Sequence, residues 1–193
     1  MSLLKDIKNC RICEEHLPLG PRPVVVAHPE SKILIIGQAP GSRVHASGIP
    51  WADQSGKRLR TWLGVDDDTF YNAENFALVP MGFCFPGSGK GGDLPPRPEC
   101  APKWHDALLN MMPKVELTLL FGMYAQKYYL KEKKKKTLTA AVKNWQEYQP
   151  GYLPLPHPSP RNQHWWKKNP WFEVEVIPFL LAEVSRLVLN VKR

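Results

Sequence analysis

The sequence predicts an α/β protein, a three-layer αβα sandwich around a central, mostly parallel four-stranded sheet. Three observations predict it. Four short apolar runs have strand length: KILIIG, NFALVPMGF, ELTLLFG and the stretch ending in GYLPLP. KILIIG is continuously apolar and β-branched, the pattern of a parallel strand covered on both faces. Segments of helical character separate the runs, which supplies the crossovers a parallel sheet needs. Three of the runs end in Gly- and Pro-rich turns, GQAPG, CFPGSG and HPSPRN. In such sheets ligands gather outside the carboxyl ends of the strands, so these turns are expected to converge at one edge.

The elements follow in order. Cys10 and Cys13 form a CxxC in a short N-terminal segment, and LPLGPRP is an extended linker. KILIIG is the first strand, and GQAPGSRVHASGIPWADQSG a long loop. KRLRTWLGV is a helix with Leu59, Trp62 and Leu63 on one face, stopped near Gly64. NFALVPMGF is the second strand, and CFPGSGKGGDLPPRPEC a structureless loop closed by two cysteines. APKWHDALLNMMPK is a helix with Pro102 in its first turn. ELTLLFG is the third strand; MYAQKYYL and TLTAAVKNWQEY are helices after it. GYLPLPHPSPRN ends the fourth strand in a Pro-rich loop. NPWFEVEVIPFLLAEVSRLVLNV is the C-terminal helix, with Pro170 near its start. HWWKKNPW, interleaving aromatics with Lys, reads equally as a nucleic-acid contact surface or as the start of a core helix.

The 193 residues suit one domain spanning 1–193 with a substantial core. No apolar run approaches the roughly 18 residues of a membrane helix, and MSLLKDIKNC lacks the apolar region of a signal peptide. A cytoplasmic monomer without membrane association is expected. The net charge of +8 serves solubility or a polyanionic partner, and seven Trp offer faces on which unpaired bases stack. The run KEKKKK, Lys131 to Lys136, reads as a solvated segment. Four cysteines in a reducing compartment point to metal rather than disulfides. A set of four thiolates suits an iron–sulfur cluster or zinc.

Taken in order, the CxxC, GQAPG, GIPW, the pair Cys84 and Cys100 enclosing fifteen positions, and HPSPRN resemble the uracil-DNA glycosylase superfamily. The closest resemblance is to its iron–sulfur-containing branch. It spans nearly the whole chain, Cys10 to Trp171. It implies a DNA glycosylase of DNA repair that hydrolyses the N-glycosidic bond of a flipped, deaminated base, uracil by default. It also implies Cys10, Cys13, Cys84 and Cys100 as ligands of a [4Fe–4S] cluster, with zinc the alternative.

Such chemistry extracts the base from the stack, stabilises negative charge on the departing base and stabilises and traps a cationic sugar. The resemblance makes His157 the donor to the base, Gly37, Ala39, Trp51 and Pro80 the wall of the base pocket, and Ser159, Arg161 and Asn162 contacts to DNA. The second residue of the turn, Glu in the iron–sulfur branch, is here Gln38, which positions a water but carries no charge. Asp53 in WADQSG matches a catalytic Asp of a related branch and is the candidate carboxylate. Family members usually carry Asn where this chain has Pro80, so hypoxanthine and xanthine join uracil as candidate bases. The bland alternatives are that His157 caps its own loop, that Trp51 is a core residue, and that Asp53 caps the following helix, a task Ser55 could share. Two other functions compete. One is a catalytically weak or inactive DNA-binding iron–sulfur protein of the same fold; the other is an enzyme acting on a free nucleoside.

Overall fold

The computed structural model describes residues 2–189. Its strands are Ile33–Ile36 (β1), Phe76–Leu78 (β2), Ser88–Gly89 (β3), Gly92–Asp93 (β4), Leu117–Phe121 (β5) and Tyr152–Leu155 (β6). β1, β2, β5 and β6 form one sheet in the order β2-β1-β5-β6, with every neighbouring pair parallel. Ile33 stands opposite Phe76 on one side and Leu117 on the other, and Phe121 opposite Leu155. Pro154, which has no N–H to donate, lies in edge strand β6, where that loss is tolerated.

The helices are Leu3–Lys8 (α1), Ser42–Ser47 (α2), Gln54–Leu63 (α3), Asp67–Tyr71 (α4), Cys100–Met111 (α5), Gly122–Leu130 (α6), Leu138–Lys143 (α7), Gln163–Lys168 (α8) and Ile177–Val184 (α9). Strand alternation sends Ile33, Ile35, Leu119 and Phe121 to one face. There they meet Leu59, Trp62 and Leu63 of α3 and Leu180 and Val184 of α9. Leu34, Ile36, Ala77 and Leu120 point to the other face, against Ile7 of α1, Leu108 of α5 and Ala125 of α6. All four residues of β1 are therefore buried, each contributing about 1.5–3 kcal/mol of hydrophobic stabilisation. This explains the unbroken apolar run. The three layers and the parallel sheet match the expected fold class.

The structure departs from expectation where elements are short. The loop after β1 contains α2, and the helix expected from Lys57 starts at Gln54. Asp53 caps it, with Oδ1 accepting from the Gly56 N–H at 2.8 Å. α4, capped by Asp66, fills a stretch too brief for helical periodicity. The 84–100 segment, expected to be structureless, carries the antiparallel β3–β4 hairpin. The TLTAAVKNWQEY helix breaks into α7 and a 3₁₀ turn over Trp145–Tyr148. QHWWKK forms α8, separate from the C-terminal helix. That helix is wound more loosely, as π-turns, over Phe172–Val176 and Ser185–Leu189. Pro178 leaves the Val174 carbonyl without its i+4 donor, which favours the looser winding ahead of it. The last residues of the expected helix, from 190 on, lie outside the described residues. Among the described residues no helix is long and apolar enough to cross a membrane.

Candidate active site

β1 delivers the chain into the GQAPG turn at the carboxyl edge of the sheet. The Met81 N–H donates to the Gly37 carbonyl and the Gly82 N–H to the Gln38 carbonyl, at 2.9 and 3.0 Å. These bonds set the turn beside the segment that follows β2. The turn forms one wall of a cleft of about 60 Å3, lined among others by Gly37, Gln38, Ala39, Trp51, Asp53, Pro80 and His157. Residues from four separate stretches of sequence thus meet in one cleft.

The Trp51–Gly56 segment is held by unusual local geometry. Trp51 has φ 57°, a left-handed conformation that bulky residues rarely adopt. Strain of this kind persists only where the surroundings fix it. The Tyr71 hydroxyl donates to the Pro50 carbonyl at 3.1 Å, and Arg60 Nη1 donates to the Trp51 carbonyl at 3.3 Å. Gly56 does the rest, since a Cβ there would overlap the Trp51 carbonyl oxygen. Gly56→Ala is therefore expected to lower the thermal midpoint by about 5 °C or more, because the clash is with backbone. A melting curve coincident with wild type would contradict this.

So fixed, the Trp51 indole lies over Gly37, where an added Cβ would come within 3.1 Å of it. It meets Phe121 edge-on and stacks on His157 with centroids 5.5 Å apart and planes 24° from parallel. The indole thus faces the imidazole directly.

His157 opens the HPSPRN turn after β6. The Asn162 side-chain amide donates to the His157 carbonyl at 2.7 Å, and Ser159 Oγ accepts from the Arg161 N–H at 3.3 Å. Asn162 and Ser159 therefore shape the loop that presents the imidazole. Burial lowers the His157 pKa from its ordinary value, while the carboxylates of Asp53 and Asp93 pull the other way. The imidazole is neutral at neutral pH, with one N–H to donate. Asp53 lines the cleft with it while its Oδ1 serves the α3 cap.

Pro80 lines the cleft, and its carbonyl points back toward buried His105. There it accepts from His105 Nε2–H at 3.1 Å, so His105 Nδ1 accepts from the Tyr129 hydroxyl at 2.6 Å. Burial pushes the His105 pKa down to about 4, which keeps this chain neutral. His105 was not a candidate from sequence; its two partners lie 25 and 24 residues away on either side of it, and no motif surrounds it.

Gln38 does not face open solvent. Its Nε2 donates to the Leu94 carbonyl at 2.9 Å and the Asp93 carbonyl at 3.4 Å, both in the hairpin region. A glutamate here would set a carboxylate against two carbonyl oxygens, which supplies a physical reason for the amide. The same hairpin meets the HPSPRN turn. A Cβ on Gly92 would lie within 2.5 Å of Arg161 Nη1, so the guanidinium rests on the bare glycine.

The model of the uracil DNA glycosylase superfamily matches residues 24–181 of this chain. The chain belongs to that superfamily. As a uracil DNA glycosylase superfamily member it falls among the hydrolases of DNA repair that release bases from DNA, and its α/β sandwich is consistent with that fold. The matched region contains both turns of the cleft, together with Cys84 and Cys100, and leaves Cys10 and Cys13 outside.

In this superfamily member all four cysteines are free thiols lining one pocket of about 20 Å3, together with Arg11, Arg97 and Trp104. The Phe83 N–H donates to Cys100 Sγ at 3.3 Å. Burial pushes the Cys84 and Cys100 thiols up to about 11 and about 12. Among the described residues no three His, Cys, Asp or Glu side chains stand close enough to form a metal-holding group. The four cysteines nevertheless border one pocket with Arg11 and Arg97, and a backbone N–H points at the Cys100 sulfur, a donor set of the kind a thiolate-bound centre uses. Arg97 pairs with Glu99 at 2.6 Å.

Proposed function

We propose that this protein is a monofunctional DNA glycosylase that hydrolyses the bond between a flipped, deaminated base and its deoxyribose. The observation that carries the reading is the cleft itself, in which a neutral imidazole and a carboxylate face one space from different turns of a glycosylase-superfamily fold. As the C1′–N bond breaks, its electron pair leaves with the base. His157 donates a hydrogen bond to the base carbonyl oxygen on which that charge collects. Asp53 faces the sugar, which becomes cationic, and orients the water whose oxygen adds to C1′. The products are the free base and an abasic site. Among the described residues no lysine lines the cleft, which supports water rather than a Schiff base as the nucleophile. Gly37, Ala39, Trp51 and Pro80 bound the base. Arg161 and Lys90 at the hairpin tip meet the DNA, assisted by Ser159 and Asn162.

Uracil is the default substrate. Pro80 has neither a side-chain amide nor an N–H to read a uracil edge, which favours including hypoxanthine and xanthine. The test is single-turnover base release from oligonucleotides each carrying one of the three, with an undamaged duplex as control. Release of one or more is expected. Binding to all three with no release would favour the inactive DNA-binding protein, a reading supported by Gln38 standing where the iron–sulfur branch has an acid. Release from free nucleosides alone would favour a nucleoside enzyme.

Cys10, Cys13, Cys84 and Cys100 would hold a [4Fe–4S] cluster, a structural centre tying the N-terminal segment to the 84–100 loop. Anaerobically purified protein is expected to carry about four irons per chain and a broad absorbance band at about 400 nm. Both should fall sharply in Cys100→Ala. A colourless preparation loaded with zinc would replace the cluster with the alternative metal.

A further inference from the structure

The GQAPG turn carries no acid, yet a carboxylate from another part of the chain stands over it. We propose that Asp93 is a second carboxylate of the site, brought to the mouth of the cleft by the β3–β4 hairpin and latched there by Gln38. In that position it stabilises the positive charge that builds on the sugar. The role rests on the glycosylase reading above; the placement of the charge does not.

Three contacts fix the placement. Gln38, a cleft residue, binds the carbonyls of Asp93 and Leu94 through its amide. Arg161 of the HPSPRN turn packs on Gly92, whose φ of 134° and missing Cβ allow the approach. The hairpin is therefore pinned to both turns that form the cleft. Asp93 itself is oriented within the hairpin, because Ser88 Oγ donates to its Oδ1 at 3.0 Å. Its Oδ2 lies against Gly41, where an added Cβ would come within 3.3 Å of it. Gly41 is part of the cleft wall, so the second oxygen lies beside that wall. Asp53 and Asp93 both pull the His157 pKa upward against its burial, so both carboxylates lie within electrostatic reach of the imidazole.

The chemistry asks little of Asp93 beyond its charge. No bond to it forms or breaks. The electron pair of the C1′–N bond departs with the base, water oxygen takes its place at C1′, and the water proton leaves to solvent or to the base. Through that sequence the sugar passes through a cationic state, and a nearby fixed negative charge lowers its energy relative to the neutral starting sugar. Because Asp93 is exposed, salt weakens the effect.

The test compares two abasic-site analogues in otherwise identical duplexes, a cationic pyrrolidine and a neutral tetrahydrofuran, bound by the full-length protein at low salt. Wild type is expected to prefer the cationic analogue. Asp93→Asn is expected to lose about tenfold of that preference. Asparagine keeps an acceptor for Ser88, and the Gln38 bonds go to backbone, so its thermal midpoint should match wild type. Glu74→Gln removes the same charge at the amino end of β2, away from the cleft, and should keep the preference. An Asp93→Asn protein that discriminates as well as wild type would overturn the proposal. So would a wild type that does not discriminate, or equal losses in Asp93→Asn and Glu74→Gln. Base release is measured in parallel. If wild type releases no base but the preference is present and Asp93-dependent, the glycosylase reading fails while the placement of the charge stands.

Discussion

Asp53→Asn is expected to slow base release by about 10²-fold or more, with no loss of stability. The argument turns on the two tasks of this side chain. As a cap, Asp53 accepts the Gly56 N–H through Oδ1, and Asn at that position caps as well as Asp. As a cleft residue it contributes a negative charge, which Asn removes. The substitution thus separates the tasks. A positioned acid–base group contributes about 10²–10⁴ in rate, whereas the cap should survive and the melting curve should coincide with wild type. Asp53→Ala removes both and is expected to cost about 1 kcal/mol of stability as well. Single-turnover rates on the preferred oligonucleotide, with thermal melts of both variants, decide the matter. An Asp53→Asn protein with full activity would leave Asp53 as a helix cap alone.

His157→Ala is expected to reduce base release by about 10²–10³-fold, the usual loss when one donor to a developing anion is deleted. The loop should keep its shape, since Asn162 holds it through the backbone carbonyl. Binding to a tetrahydrofuran-containing duplex should therefore change little. The state of the imidazole gives a second readout. Burial lowers its pKa below the ordinary 6.5, so the donor is neutral at that pH and above. The wild-type rate should show no His157 titration from about pH 6.5 upward. A rate that falls tenfold per pH unit through the neutral range would mean that a protonated, cationic histidine does the work.

The parts of this structure legible in the sequence are those where burial writes a pattern. KILIIG had to be covered on both faces, and β1 is. GQAPG and HPSPRN follow β1 and β6, and a parallel sheet brings such turns to one edge. Asp53 was legible as a cap, because capping chemistry is local, and the structure sets it in the lining of the cleft. The illegible parts depend on contacts between distant residues. Two-residue strands cannot show alternation, so the hairpin read as a glycine-rich loop and Asp93 went unnoticed. The partners of Gln38 lie 55 and 56 residues away, so the amide read as a water-positioning group rather than a latch. His105 behind Pro80 carries no motif at all. The necessity of Gly56 appears only when the Trp51 carbonyl is seen beneath it.

The segment from Cys84 to Cys100 begins and ends at the pocket it shares with Cys10 and Cys13 and touches Gln38 and Arg161 in its middle. It therefore works as a ruler. Removing one residue between Cys84 and Ser88 would leave both thiols in the chain but shift every later position, presenting a neighbour where Asp93 now stands. The distance along the chain from the cysteine pocket to the cleft sets which residue meets Gln38, and lengthening or trimming this stretch changes that contact without changing a single cleft side chain.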